Sequence, residues 1–408
     1  MNENTVAIIG ANMAGCRVAE TLRQNGYTGK ICLIGEEAEL PYERPPLSKE
    51  VLWSNGSLPN GFFLHEENFY KEKEIDLFLG SRVEEVDLSK RRLKTSCGDE
   101  LDFSHLVFCT GSRVRELGVS GEDLQGVHYL RTLSDANGFS PSLKKGARIG
   151  IIGMGVIGAE VAASARKKGC EVICIEPQEV TMERTLGKRF GSWLAQIHRD
   201  EGVDVRLGVG IKEFIGENGL LTGAMLDDGD TIDLDAVVVG IGVIPNVEVA
   251  QEAGIEIDNG IVVDEFARTS FSDVYAAGDV TNMPLFASGS RGRVETYQNA
   301  QEQATIVAQN IMEQDSVYHN PMWFWSDQYD INIQVCGDVT STSDLIVRGN
   351  DKSRDFSAFF VRDDIVVGVM TINRPRDMGV GKRLVAKKIK IVPELLLDEK
   401  VNLRILLK

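Results

Sequence analysis

The sequence predicts an α/β protein with two parallel-sheet domains and a small α+β domain at its C-terminal end. Three observations predict it. Residues 6–10 and 148–153 are each a β-branched run that ends in glycine and opens a glycine turn. Each turn leads into a helical stretch, a second buried strand and an acidic residue, and the copies start 143 residues apart, from Gly10 to Gly153. Beyond residue 322 the pattern changes to alternating β-branched runs such as 357–361 and 365–371, the period of half-buried strands.

The first copy runs from a strand at 6–9 into the turn Gly10-Ala-Asn-Met-Ala-Gly15, then a helix over 16–26 stopped by Gly26. A second strand, 30–34, ends at Gly35-Glu36-Glu37, and Glu36 lies 21 residues after Gly15. The second copy runs from 148–152 into Gly153-Met-Gly155-Val156-Ile157-Gly158, a helix over 159–168 and a strand over 171–175 capped by Glu176. Strand, glycine turn, helix, strand and acid form the dinucleotide fingerprint. Glycine makes the tight turn, bare backbone approaches a pyrophosphate, and the helix N-terminus faces its negative charge. The terminal acid holds ribose hydroxyls. The first copy departs at one place: Asn12 stands where the middle glycine usually is. Asn tolerates left-handed backbone, so the turn survives, with a side chain set to crowd the phosphates. Two complete copies predict two Rossmann-like domains and two dinucleotides. A flavin and a nicotinamide are the usual pair, since hydride passes readily between them. Glu176 favours NADH, because a carboxylate there accepts both ribose hydroxyls and repels the 2′-phosphate of NADPH; Arg184, eight residues on, softens that preference.

Composition narrows the class. With 44 Lys+Arg against 61 Asp+Glu, the net charge of -17 argues against general binding to nucleic acid or anionic membrane. Hydrophobic residues at 43% exclude a disordered chain. The longest apolar run, 236–245, is ten residues, half of what a membrane span needs, and residues 1–6 lack a basic signal start, so a cytoplasmic location is expected. Seven scattered cysteines with no CxxC pair, and five histidines without metal spacing, predict neither a disulfide framework nor a metal site. Cys170 and Cys174 read as small buried hydrophobes.

Three further stretches complete the pattern. Residues 106–112 form a strand ending in Thr110-Gly111, residues 271–279 a strand ending in Gly278-Asp279, and residues 237–246 a strand running into Gly242-Val-Ile-Pro245. Together with Pro41-Tyr-Glu-Arg44-Pro-Pro-Leu-Ser-Lys49, Glu295-Thr-Tyr297-Gln-Asn-Ala300 and Trp323-Phe-Trp325-Ser-Asp-Gln-Tyr329, they make the chain resemble the two-dinucleotide flavoprotein reductases. It is most similar to the NADH-dependent ferredoxin reductases of bacterial aromatic-ring dioxygenases, with the putidaredoxin and rubredoxin reductases as near relatives. The resemblance covers almost the whole chain. It implies a discontinuous FAD domain at 1–112 and 245–322, an inserted NAD domain at 113–244 and a C-terminal domain at 323–408.

The resemblance implies FAD contacts at Gly10, Ala14, Gly15, Glu36, Arg44, Lys49, Val83, Thr110, Gly111, Arg131, Gly278, Asp279, Tyr297 and Trp325. It implies NAD contacts at Gly153, Gly155, Val156, Ile157, Gly158, Glu160, Glu176, Arg184 and Gly242. Lys49 and Glu160 resemble a pair beside the flavin, where the nicotinamide stacks, and are the candidate catalytic residues. A helix over 295–311 points its N-terminus at the flavin and favours its reduced, anionic form; the family's usual Ser-Val-Pro between Glu295 and Asn299 is here Thr-Tyr-Gln.

Disulfide- and peroxide-reducing members of the broad family need a cysteine near residue 42, and 41–49 has none. Hydride is therefore expected to pass from NADH to the flavin, and electrons to leave singly to a [2Fe–2S] ferredoxin that feeds an oxygenase. Trp325 is expected at the docking face. Residues 352–390 hold ten bases and four acids, net +6, leaving -23 on the other 369 residues; a basic segment of this kind steers an acidic ferredoxin. A rubredoxin reductase, an NADH oxidase and an NADH-sensing flavoprotein are the alternatives.

Overall fold

The computed structural model describes all residues except 1–3, 55–56, 287–288 and 341–342. The chain divides into two compact units, one of Met1–Glu43, Asn60–Arg113 and Ile244–Met322, the other of Arg44–Pro59, Val114–Val243 and Trp323–Lys408.

The first unit is built on a five-stranded parallel sheet in the order Val274–Ala276, His105–Phe108, Thr5–Ile9, Lys30–Ile34, Ile75–Phe78. The central strand is apolar on both faces and wholly buried, as a parallel sheet covered on both sides requires. Helices Met13–Gln24 and Tyr297–Ile311 pack together on one face. The strand order reverses at Thr5–Ile9, whose neighbours Lys30–Ile34 and His105–Phe108 both come later in sequence and lie on its opposite sides, so the crevice at the C-terminal ends of Thr5–Ile9 and His105–Phe108 is a topological switch point. A three-stranded antiparallel sheet, Val83–Asp87, Arg92–Thr95 and Glu100–Asp102, fills the crossover into His105–Phe108.

The second unit repeats the plan. Its parallel sheet runs Asp204–Leu207, Glu171–Glu176, Arg148–Ile152, Ala236–Val239, Val127–Tyr129, with the helix Val156–Lys167 following the central strand. The same unit holds a five-stranded antiparallel sheet in the order Trp323–Gln328, Ile331–Gly337, Ile365–Ile372, Asp355–Arg362, Asp344–Asn350, with helix Pro375–Lys387 packed on it. The predicted fold class holds: two dinucleotide-type α/β sheets and an α+β C-terminal part.

The predicted helices begin earlier than hydrophobic periodicity places them, at Met13 and Val156, because the glycine turns are themselves the first helical turns. The helix expected from residue 295 begins at Tyr297, because the Thr296 side chain caps it by accepting from the Asn299 amide. Residues 44–59 group with the second unit, and contacts explain it. Lys49 pairs with Glu160, Ser48 bonds Glu160 and Ser164, and Lys167 sits 3.6 Å over the Trp53 ring.

Candidate functional site

In the first unit three chain ends meet at the switch point. The helix Met13–Gln24 starts there; Gly15 lies so close to the turn that a Cβ on it would stand 2.0 Å from the Gly10 carbonyl oxygen. Thr110 and Gly111 follow the adjacent strand, held by bonds from Thr110 Oγ1 to the Asn246 carbonyl (2.6 Å) and from Asn246 Nδ2 to the Thr110 carbonyl (2.9 Å). Gly278 completes the floor in a left-handed backbone (φ 85°); a Cβ there would meet the Ala14 Cβ at 3.3 Å. Beside it, the half-buried Asp279 accepts from Ser112 Oγ at 3.2 Å. Tyr297, at the first turn of its helix, donates to Glu43 at 2.7 Å. Val83 is buried, and Glu36 stands exposed past the second strand with Arg82 at 3.8 Å. Small residues, a helix start and two carboxylates around one crevice fit a dinucleotide. The expected contacts Arg44, Lys49, Arg131 and Trp325 belong to the second unit, where Arg44 Nη1 donates to the Arg131 carbonyl at 2.6 Å.

The corresponding crevice of the second unit is open. A Cβ on Gly155 would meet nothing within 4 Å, and no side chain caps the helix that follows. Gly158 must stay glycine for the fold, since its Cβ would lie 1.9 Å from the Gly153 carbonyl oxygen. Val156 is half-buried and Ile157 is 45% exposed at the helix start. Glu176 accepts from the Met154 amide at 2.7 Å and the Gln178 amide at 3.0 Å, which fixes its carboxylate at the strand end. Gly242 (φ 107°) closes the far side after Ala236–Val239. Arg184 is exposed and no ion pair joins it to Glu176 among the described residues.

Lys49 and Glu160 come together as a buried ion pair, 8% and 2% exposed, with Nζ 2.6 Å from Oε2. The same oxygen accepts from Ser48 Oγ at 2.5 Å, and Oε1 accepts from Ser326 Oγ at 2.8 Å. Lys49 also donates to the Pro45 carbonyl at 3.1 Å. From Ser326 the bonds continue inward: Gln328 Nε2 donates to Ser326 Oγ (3.0 Å), Gln328 Oε1 meets His198 Nε2 (3.0 Å), and His198 Nδ1 meets the Tyr329 hydroxyl (2.7 Å). Burial pulls the His198 imidazole down to about 4, against a smaller upward effect of the Gln328 bond, so it is neutral at pH 7. Motif reading missed Ser48, Ser326, Gln328 and His198. One signal was available: in the strand Trp323–Gln328, polar Ser326 and Gln328 occupy the alternate positions that also hold buried Phe324, and buried polar groups need partners.

The other face of that strand carries Trp323 and Trp325, half-buried and stacked at 5.3 Å, with the Lys382 ammonium 3.2 Å above the Trp323 ring. Several bases of 352–390 are already paired: Arg354 with Glu201 and Asp330, Arg374 with Asp355 and Glu399, Arg362 with Asp338. Arg376, Arg383 and Lys387 are exposed, carry no ion pair among the described residues, and fall on one stripe of helix Pro375–Lys387 at spacings of seven and four.

Comparison with known proteins agrees with this architecture. Residues 4–304 match the pyridine nucleotide-disulphide oxidoreductase family and residues 323–407 match the reductase C-terminal domain. The ferredoxin–NAD(+) reductase component of the p-cumate 2,3-dioxygenase system of Pseudomonas putida is 39% identical, over 98% of this chain and 97% of that protein. The crystal structure of the ferredoxin reductase for the CYP199A2 system from Rhodopseudomonas palustris is 37% identical and superposes with a TM-score of 0.94 over 98% of this chain and 99% of that one. The reductase in the covalent putidaredoxin reductase–putidaredoxin complex is 33% identical, with a TM-score of 0.95 over 100% of this chain and 98% of that one. Among the described residues no helix is long and apolar enough to cross a membrane, and no cluster of metal-ligating side chains occurs. The chain belongs to the pyridine nucleotide-disulphide oxidoreductase family, in the branch of ferredoxin–NAD(+) reductases that carries the reductase C-terminal domain.

Proposed function

We propose that the chain is an NADH-dependent flavoprotein reductase of a [2Fe–2S] ferredoxin that feeds an oxygenase. In this reading residues 1–112 and 245–322 hold FAD, residues 113–244 hold NADH, and residues 323–408 receive the protein partner. FAD, when bound, supplies the exchange between a two-electron donor and a one-electron acceptor.

The chain's own residues bind and orient. Gly10, Ala14, Gly15 and the amides of the first helix receive the FAD pyrophosphate, Glu36 the adenosine ribose, and Asp279 a hydroxyl of the ribityl chain. The start of helix Tyr297–Ile311 lends partial positive charge to the flavin. In the second unit Gly153, Gly155 and Gly158 leave bare backbone for the NADH pyrophosphate, and Glu176 takes the ribose hydroxyls. Glu160 receives three donors, from Lys49, Ser48 and Ser326. A carboxylate offers about four acceptor sites, so one remains for the carboxamide of the nicotinamide. Lys49, 2.6 Å away, holds that carboxylate in place. No proton transfer by a side chain is needed; the pair positions the ring.

The observation that carries the reading is the lack of a usable thiol. Residues 41–49 contain no cysteine, and six of the seven cysteines are buried, with Cys97 exposed. Burial pushes the Cys16 and Cys32 thiols up to about 11 and raises those of Cys109 and Cys174 further. Only a thiolate attacks a disulfide, so electrons leave by another route than the disulfide chemistry of the wider family. The test is rapid mixing of the FAD-loaded chain with NADH and a ferredoxin, before and after alkylation of Cys97. Ferredoxin reduction unaffected by alkylation, with little oxygen uptake, is expected. Loss of reduction on alkylation, or oxygen uptake equal to all NADH consumed, would overturn the assignment.

A further inference from the structure

Asn12 and Gly155 occupy the same place in the two fingerprints, and both have extended backbone: φ -134°, ψ -168° at Asn12 and φ -73°, ψ -170° at Gly155. The position therefore does not require glycine for its conformation. At Gly155 it does not require glycine for packing either, since a Cβ would meet no atom within 4 Å. The space there is left for a ligand. In the first unit the Asn12 side chain turns back onto its own helix. Its Oδ1 accepts from the amides of Ala14 (3.0 Å) and Gly15 (3.3 Å), and its Nδ2 donates to the Cys109 carbonyl at 2.6 Å. Those two amides are among the unpaired donors of a helix N-terminus, the groups a pyrophosphate takes.

We infer that Asn12 is a built-in competitor for the FAD pyrophosphate: its side-chain carbonyl holds the helix amides that the cofactor needs. This rests on the reading that the first unit binds FAD. Two consequences follow. The chain without FAD keeps a capped helix and an ordered turn. FAD binds less tightly, and exchanges more readily, than it would with glycine at position 12.

The test is a fluorescence titration of FAD into the FAD-free full chain, for the parent, Asn12→Gly and Asn12→Asp, with thermal unfolding of each FAD-free protein alongside. Glycine removes the competitor, so Asn12→Gly should lower the Kd by about twofold, the few tenths of a kcal/mol that separate an Asn cap from a Gly cap, while its FAD-free form is no more stable than the parent. Aspartate is a good cap that keeps the fold and adds a negative charge facing the phosphates, so Asn12→Asp should raise the Kd by about tenfold or more. A residue serving the fold alone would give the opposite result for glycine, a weaker complex. Equal or weaker FAD binding by Asn12→Gly, or unchanged binding by Asn12→Asp should the glycine variant not fold, would overturn the inference while leaving the FAD reading intact. A parent chain that takes up no FAD while still binding NADH would overturn both.

Discussion

The ion pair of Lys49 and Glu160 makes a demanding prediction about stability, because its two charges are almost fully removed from water. Breaking a buried pair by removing one partner costs about 3–5 kcal/mol, whereas removing both charges is often close to neutral. The surroundings of each charge rank the two halves. With Lys49→Met the Glu160 carboxylate keeps the hydroxyls of Ser48 and Ser326, so the cost falls near 3 kcal/mol. With Glu160→Gln the Lys49 ammonium keeps only the Pro45 carbonyl and one neutral amide oxygen, so the cost is nearer 4–5 kcal/mol. In the double variant the glutamine amide accepts from one serine hydroxyl and donates to the other, and no charge is stranded, so about 1 kcal/mol remains. The single effects should therefore exceed the double by a wide margin. All four tryptophans, Trp53, Trp193, Trp323 and Trp325, lie in the unit that holds the pair, so guanidinium unfolding followed by tryptophan fluorescence reports on that unit. Single costs below 1 kcal/mol, or a double cost equal to their sum within about 0.5 kcal/mol, would refute the claim that two desolvated charges depend on each other.

Acid should weaken the same unit through His198. Its folded-state value lies near 4 and the ordinary imidazole near 6.5, so the unfolded chain takes up its proton first as pH falls; stability is whole above pH 6.5 and drops by up to about 3 kcal/mol between there and pH 4, and His198→Gln should flatten that slope in denaturation curves taken across the window. Arg348, nearly buried, donates to the carbonyls of Leu396, Asp398, Glu399 and Val401; Arg348→Met should raise hydrogen exchange over residues 392–408 by roughly a hundredfold, as several charge-assisted bonds are lost. Ferredoxin reduction should fall steeply with salt while ferricyanide reduction stays flat, and the pair Arg383→Glu with Lys387→Glu should lower kcat/KM for ferredoxin about tenfold at low salt; equal salt sensitivity for both acceptors would remove the basic stripe from the docking reaction.

Much of this was legible in local pattern. β-branched runs ending in glycine marked the central strands to the residue at Arg148–Ile152, and the acids Glu36 and Glu176 fall just past or at the ends of the neighbouring strands. Two local errors have local causes. Glycine and asparagine hid the first helical turns, and Asn12 was expected to owe its place to left-handed backbone, whereas it is extended and serves as a cap. What the motifs did not show is long-range. Ser326 lies 166 residues from Glu160, and His198 130 residues from Gln328; nothing near either residue announces its partner. Counting charges also overstated the basic segment, because Arg354 and Arg374 pair with Glu201 and Glu399, acids outside it.

The strand Trp323–Gln328 faces two ways, with Trp323 and Trp325 on one side and Ser326 and Gln328, bonded to Glu160 and His198, on the other. The C-terminal part is thus not an interchangeable adaptor. A chimera that grafts another reductase's C-terminal domain here, to recruit a different electron carrier, also replaces the hydroxyl holding Glu160. On the proposed reading, one six-residue strand would bear on both partner choice and nicotinamide placement. Retargeting such an enzyme calls for keeping Ser326 and Gln328 fixed and redesigning only the alternate positions, Trp323, Trp325 and Asp327.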